Sequence, residues 1–153
     1  MARPINAGGL ALIRQFEGCR LAAYQDERGV WSIGYGHTRG VSHGQQITQE
    51  QAEQLFAQDV EMKSAAVDTA TFDVPTTDNQ YAALCSLAFN IGTGNFAQST
   101  TLRLHRAGNY QDAGDALLMW DEITIDGVRQ KDAGLLQRRQ AERALYLTPD
   151  TVS

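Results

Sequence analysis

The sequence predicts an α+β fold, mainly α-helical, in which a small lobe carrying a β-hairpin faces a larger helical lobe across a cleft. Two capping boxes, Thr48 to Gln51 and Thr77 to Gln80, each open a long amphipathic stretch. Between Val30 and Tyr35 the pattern changes to the alternation of a strand. No repeat, low-complexity run or Gly/Ser linker divides the 153 residues, which suffice for one domain with a hydrophobic core and no disulfide staples. Within that single domain the small lobe is placed at about residues 18–65, and the helical lobe at about 66–153 together with the N-terminal helix.

The elements follow in order. Leu10, Ile13 and Phe16 share a helical stripe and Gly18 follows as a cap, so a short helix ends at Glu17. A carboxylate there faces the negative end of the helix dipole, which disfavours its charge. "DERG" is a turn signal, and the hairpin around it sets Trp31, Ile33 and Tyr35 on one face, with Ser32 and Gly34 on the other. A third strand is expected near Val41, and Asp26 and Ser32 are expected close together across the strands. The helix from Thr48 to about Val67 links the lobes, with Leu55, Phe56, Val60 and Val67 as its apolar face. The helix opened by Thr77 buries a stripe of Tyr81, Leu84, Cys85, Ala88 and Ile91 and stops at Gly92. "STTLRLHRAG", "YQDAGDALLMW" and "GLLQRRQAERALYL" are read as the remaining helices.

Composition narrows the function. Apolar residues at 42% and charged residues at 20% describe an ordinary globular chain. Thirteen Lys and Arg against 18 Asp and Glu leave a charge of -5, which argues against nucleic acid as the main partner. The basic run from Arg129 to Arg143 is read as a solvated helix face. Arg14, Gln15 and Glu17 interrupt the N-terminal apolar residues too early for a signal peptide or a membrane span, so no stable membrane insertion is expected. Cys19 and Cys85 are read as two buried free thiols, with a disulfide as the alternative. His37, His43 and His105 show no metal-ligand spacing, so neither a metal nor a cofactor is expected.

Cleaving a glycosidic bond requires a proton donor for the leaving oxygen and a second carboxylate that directs water or stabilises positive charge. Glu17 on a helix end and Asp26 on a hairpin can supply both, because their different surroundings can separate their roles. Ser32 adds a hydroxyl able to hold a water whose other partner is Asp26. Spacing alone does not distinguish this pair from two surface acids. The glycines of "WSIGYGHT" add to the case, being read as room cleared on one strand face for a large ligand.

The stretch "FEGCRLAAYQDERGVWSIGYGHT" resembles the signature of the bacteriophage-type lysozymes, the endolysin muramidases: Glu, eight residues, Asp, five residues, a hydroxyl residue, then "IGYGHT". "YAALCSLAFNIGTGNFAQSTTLRLHRAG" is similar to that family's central helix and following loop, and "GLLQRRQAERALYL" to its closing helix. The resemblance implies the two-lobed lysozyme-like fold and hydrolysis of the β-1,4 bond between N-acetylmuramic acid and N-acetylglucosamine in peptidoglycan. Glu17 would then be the acid, Asp26 the water-directing carboxylate and Ser32 the third member, with an inverting outcome. It further implies substrate contacts at Tyr35, His37 and Thr38, at Phe89 and Asn90 on the cleft, and at Ser99 on the next loop. Read from the residues, His37 more simply makes a structural hydrogen bond to an acid, Phe89 packs in the core, and Ser99 caps a helix. Trp31 and Trp120 are read as core residues, and Arg138 or Arg139 as a partner for Glu17.

Three features depart from the family pattern: Ser32 where Thr is usual, the insertion-like segment 121–134, and the acidic net charge facing a polyanionic wall. They favour the competing possibility, a muramidase-like module that binds glycan without cleaving it, whereas intact Glu17 and Asp26 favour the enzyme. A transglycosylase is the lesser alternative. The resemblance also implies a monomer that accumulates in the host bacterial cytoplasm and reaches the wall at lysis through a holin-type pore.

Overall fold

The computed structural model describes residues 2–150; residue 1 and residues 151–153 of the expected domain lie outside the described part. Helix α1, Ala7–Glu17, is capped by Asn6, whose side chain accepts from Gly9 N at 2.9 Å, and ends where Gly18 N–H returns to Arg14 O. Strands β1, Arg20–Gln25, and β2, Trp31–Gly34, pair antiparallel, with Tyr24 opposite Ser32 and Gln25 opposite Trp31.

No strand forms at Val41. The segment 39–44 is spent in turns, with Gly40 and Gly44 at positive φ. The third pairing on β1 comes later, where Gln45 O accepts from Ala23 N at 2.9 Å and Ile47 N donates to Leu21 O at 2.8 Å. The expected alternation also stops early: β2 ends at Gly34, and Tyr35 belongs to the turn that follows.

Helix α2, Gln49–Thr71, carries the expected capping box and at 23 residues runs about 34 Å. Its Ala52, Phe56 and Val67 are buried, so one stripe contacts the β1–β2 hairpin near its start and the helical lobe further on. Helix α3, Asp78–Ile91, opens with the second capping box and is surrounded by α1, α2 and the C-terminal helix. Every residue from Tyr81 to Phe89 is buried, a wider surface than the predicted stripe, because neighbours approach this helix from all sides. Burying Leu84 and Leu87 completely contributes about 2 kcal/mol each.

Three short helices follow, α4 (Thr93–Ala97), α5 (Thr100–Arg106) and α6 (Tyr110–Ala116), the last running into a 3-10 turn at Leu117–Met119. The segment 121–134 is then not a loop but a second hairpin: β3, Glu122–Ile125, pairs with β4, Val128–Lys131, in full register. Its two-residue turn, Asp126–Gly127, has φ of 51° and 78°, the left-handed pair that suits the twist of a tight hairpin. Helix α7, Ala133–Leu147, begins directly afterwards, capped by Asp132, which accepts from Leu135 N at 2.8 Å.

Candidate active site

Glu17 is the last residue of α1, and its side chain lies between two distant parts of the chain. Oε2 accepts from Arg138 Nη1 at 2.5 Å, across 121 residues of sequence. Oε1 lies against Gly36, where an added Cβ would stand 2.5 Å away. Gly36 reaches that position because "IGYGH" folds into a tight turn, with Ile33 N–H donating to His37 O and His37 N–H to Ile33 O, both at 2.9 Å, while Gly34 and Gly36 take φ of 64° and 76°. The glycines therefore turn the chain and admit the Glu17 carboxylate; they do not clear a strand face for a ligand.

Asp26 opens the β1–β2 turn, and Oδ1 is held by the N–H groups of Arg28 and Val30 at 2.8 and 2.9 Å. Its outer oxygen, Oδ2, faces Arg28 at 3.6 Å. Ser32 is buried, and its hydroxyl donates to Val30 O at 3.2 Å. Asp26 and Ser32, expected close together across the strands, share a partner in Val30, whose N–H binds the carboxylate and whose carbonyl takes the hydroxyl. Burial pushes the Tyr24 phenol up, and the negative fields of Glu17 and Asp26 add to it, so Tyr24 senses both acids.

A cavity of about 270 Å³ opens beside Glu17, lined by Phe16, Glu27, Asn90, Asp132, Gly134, Leu135 and Arg138 as well. Glu27 and Asp132 escaped the sequence reading: the first is a neighbour in "DERG", the second a helix cap, and neither pattern suggests a cavity. A hollow of about 320 Å³ between Pro75, Thr76, Thr77, Gln80 and Tyr110 is lined by no carboxylate. Among the described residues no three His, Cys, Asp or Glu side chains gather as a metal site.

The family model described as Phage lysozyme matches residues 14–142, from α1 into α7 and across the whole cavity. The chain belongs to the phage lysozyme family. It is a glycoside hydrolase of the lysozyme class. An endolysin of Acyrthosiphon pisum secondary endosymbiont phage 1 is 44% identical over 142 residues, covering 93% of this chain and 97% of its own. The solved endolysin from Escherichia coli O157:H7 phage FAHEc1 superposes with a TM-score of 0.87 at 40% identity, covering 95% of this chain and 94% of its own. The muramidase domain of SpmX from Asticaccaulis excentricus gives the same TM-score, 0.87, at 38% identity over 96% of this chain and 99% of that one.

In this phage lysozyme the other sequence-derived positions divide. Asn90 lines the cavity and accepts from Arg139 Nη2 at 2.9 Å. Phe89 is a core residue, 5% exposed, tilted against Phe56 and lying under the Lys63 ammonium at 4.0 Å. Burial pushes the Lys63 amine down, while Asp59 and Glu17 oppose the shift. Tyr35 donates to Glu53 Oε1 at 2.7 Å, and that bond pushes the phenol up. His37 binds Asp59 through Nδ1 and the Arg39 carbonyl through Nε2, both at 2.8 Å, the structural use anticipated for it. Thr38 is exposed beyond the turn. Ser99 is buried as the cap of α5, accepting from Leu102 N and donating to Phe96 O, which leaves it turned inward. Trp31 and Trp120 are only partly buried, Trp31 lying beside His43. Both thiols are free; Cys85 is buried as expected, whereas Cys19 is exposed just beyond α1.

Proposed function

We propose that this lysozyme hydrolyses the β-1,4 bond between N-acetylmuramic acid and N-acetylglucosamine in bacterial peptidoglycan and acts as a lytic endolysin. The placement of Glu17 carries the reading: its carboxylate borders the cavity, with one oxygen held by Arg138 and the other against Gly36. As general acid Glu17 gives a proton from Oε1 to the leaving oxygen while Oε2 stays on Arg138, which then stabilises the carboxylate that forms. Asp26, oriented by two backbone N–H groups through Oδ1, directs water with Oδ2. Ser32 donates to the Val30 carbonyl, which also accepts from Asp26 N–H at 2.9 Å, and its hydroxyl oxygen retains lone pairs for the same water. Attack from the face opposite the leaving group gives inversion.

The chain works as one domain, with the small lobe at about 18–65 and the helical lobe at about 66–153 together with the N-terminal helix, and as a monomer. No helix among the described residues is long and apolar enough to cross a membrane. In this reading a holin-type pore passes the protein from the host cytoplasm to the wall at lysis.

Turbidity loss of purified peptidoglycan, with the released ends identified by mass spectrometry, tests this reading. Wild type should release reducing ends, Glu17→Gln and Asp26→Asn should each lose at least about a hundredfold in rate, and Ser32→Thr should remain active. Binding without lysis by wild type would establish the glycan-binding module instead, and anhydro ends would establish a transglycosylase.

A further inference from the structure

Behind the cavity, α7 carries a carboxylate that the proposed chemistry does not use. Glu142 is fully buried, one helical turn beyond Arg138 and Arg139. Oε2 accepts from Ser86 Oγ at 2.5 Å, from Arg139 Nη2 at 3.2 Å and from Arg138 Nε at 3.3 Å. Oε1 lies 2.8 Å from Arg139 Nε, an ion contact without the alignment of a hydrogen bond. Each arginine then reaches outward. Arg138 gives Nη1 to Glu17 and Nη2 to the Ser86 carbonyl, so all three of its nitrogens are held. Arg139 gives Nη2 to Asn90 as well.

The charges therefore alternate, Glu17, Arg138, Glu142, Arg139, and the two outer contacts of the arginines, Glu17 and Asn90, both line the cavity. Stability alone gives little reason for such a cluster, because buried ion pairs lose in desolvation much of what they gain and well-packed apolar side chains replace them at no loss. Orientation is a better reason: a guanidinium held at three nitrogens presents Nη1 to Glu17 in one direction only.

Resting on the reading of Glu17 as the acid, we propose that Glu142 is a positioning residue: one buried carboxylate that sets Arg138 on Glu17 and Arg139 on Asn90, aligning the proton donor and the cleft wall together. Its negative charge also offsets the pull of both arginines on Glu17. The other charged or titratable groups around Glu17 are Lys63 on α2, Tyr24 on β1, and Glu27 and Asp132 across the cavity.

Glu142→Gln keeps the shape and removes the charge. On soluble peptidoglycan fragments kcat should fall roughly tenfold with KM nearly unchanged, the mark of lost alignment. A folded Glu142→Gln protein with wild-type kcat overturns the proposal. If that variant does not fold, Ser86→Ala decides: it removes one donor to Oε2 and leaves every charge, so a severalfold lower kcat at unchanged KM supports positioning and wild-type kcat overturns it. Glu17→Gln assayed in parallel separates the two levels. An inactive Glu17 variant beside a normal Glu142 variant sinks this inference alone, whereas an active Glu17 variant sinks the assignment of the acid and this inference with it.

Discussion

Gly36 and Glu17 meet so closely that no side chain fits between them: a Cβ on Gly36 would stand 2.5 Å from Oε1 of Glu17. Gly36→Ala therefore acts twice. Its φ of 76° costs an L-residue about 1–2 kcal/mol, and the methyl displaces the carboxylate from the cavity. Lysis should fall by about a hundredfold while the melting temperature drops by only several degrees. A variant that keeps its rate would show that Glu17 need not sit against the turn.

The second hairpin ends where the cavity begins, since Asp132 and Gly134 line it and Asp132 N–H closes the hairpin on Asp121 O at 2.8 Å. Its strands are largely exposed, so it opens without unfolding the core. Gly127→Val, a branched residue at φ of 78°, should loosen the tip, raise KM for peptidoglycan severalfold and barely change the melting temperature. An unchanged KM would detach the hairpin from substrate binding.

His105 is buried between Tyr146 Oη, 2.6 Å from Nδ1, and Thr76 Oγ1, 2.8 Å from Nε2. Burial pushes its pKa down to about 4, with the Arg106 charge adding to the shift. Because the folded protein holds this ring neutral, the unfolded chain binds the extra proton between the two pKa values. This stabilisation is complete above the unfolded value near 6.5 and is lost as pH falls through about 4. The full window is worth up to about 3 kcal/mol. Urea midpoints followed from pH 7 to pH 4 should fall less steeply in His105→Gln; equal slopes would exclude His105 as a source of acid sensitivity.

The thiols should separate in a labelling experiment. Cys85 is 2% exposed and burial pushes it up to about 12, whereas Cys19 is exposed. An aromatic disulfide reagent at pH 8 should titrate one thiol in the native protein and the second only on unfolding. Prompt reaction of both would mean that α3 opens readily.

Local signals accounted for most elements. Thr48 with Gln51 and Thr77 with Gln80 start helices through contacts within one turn, and Gly18 ends one by the same economy of distance. The second hairpin is encoded in "ITIDGVRQ", a two-residue Asp-Gly turn between alternating segments, although against the family pattern the same segment reads as an insertion. Val41 misled because a β-branched residue between two glycines still has to follow their turns.

The sequence by itself determined every helix except the short α4, the first hairpin, the family, and the candidate acids Glu17 and Asp26, because capping, periodicity and a contiguous signature are read over a few neighbouring residues. Only the tertiary structure decided that α3 is buried all round, that Arg138 and not Arg139 takes Glu17, that Ser32 reaches Asp26 through Val30, and that Glu27 and Asp132 face the cavity. The physical reason is separation along the chain: Glu17 and Arg138 lie 121 residues apart. The direction in which a guanidinium points is set by the helices packed around it, and no local pattern encodes that direction.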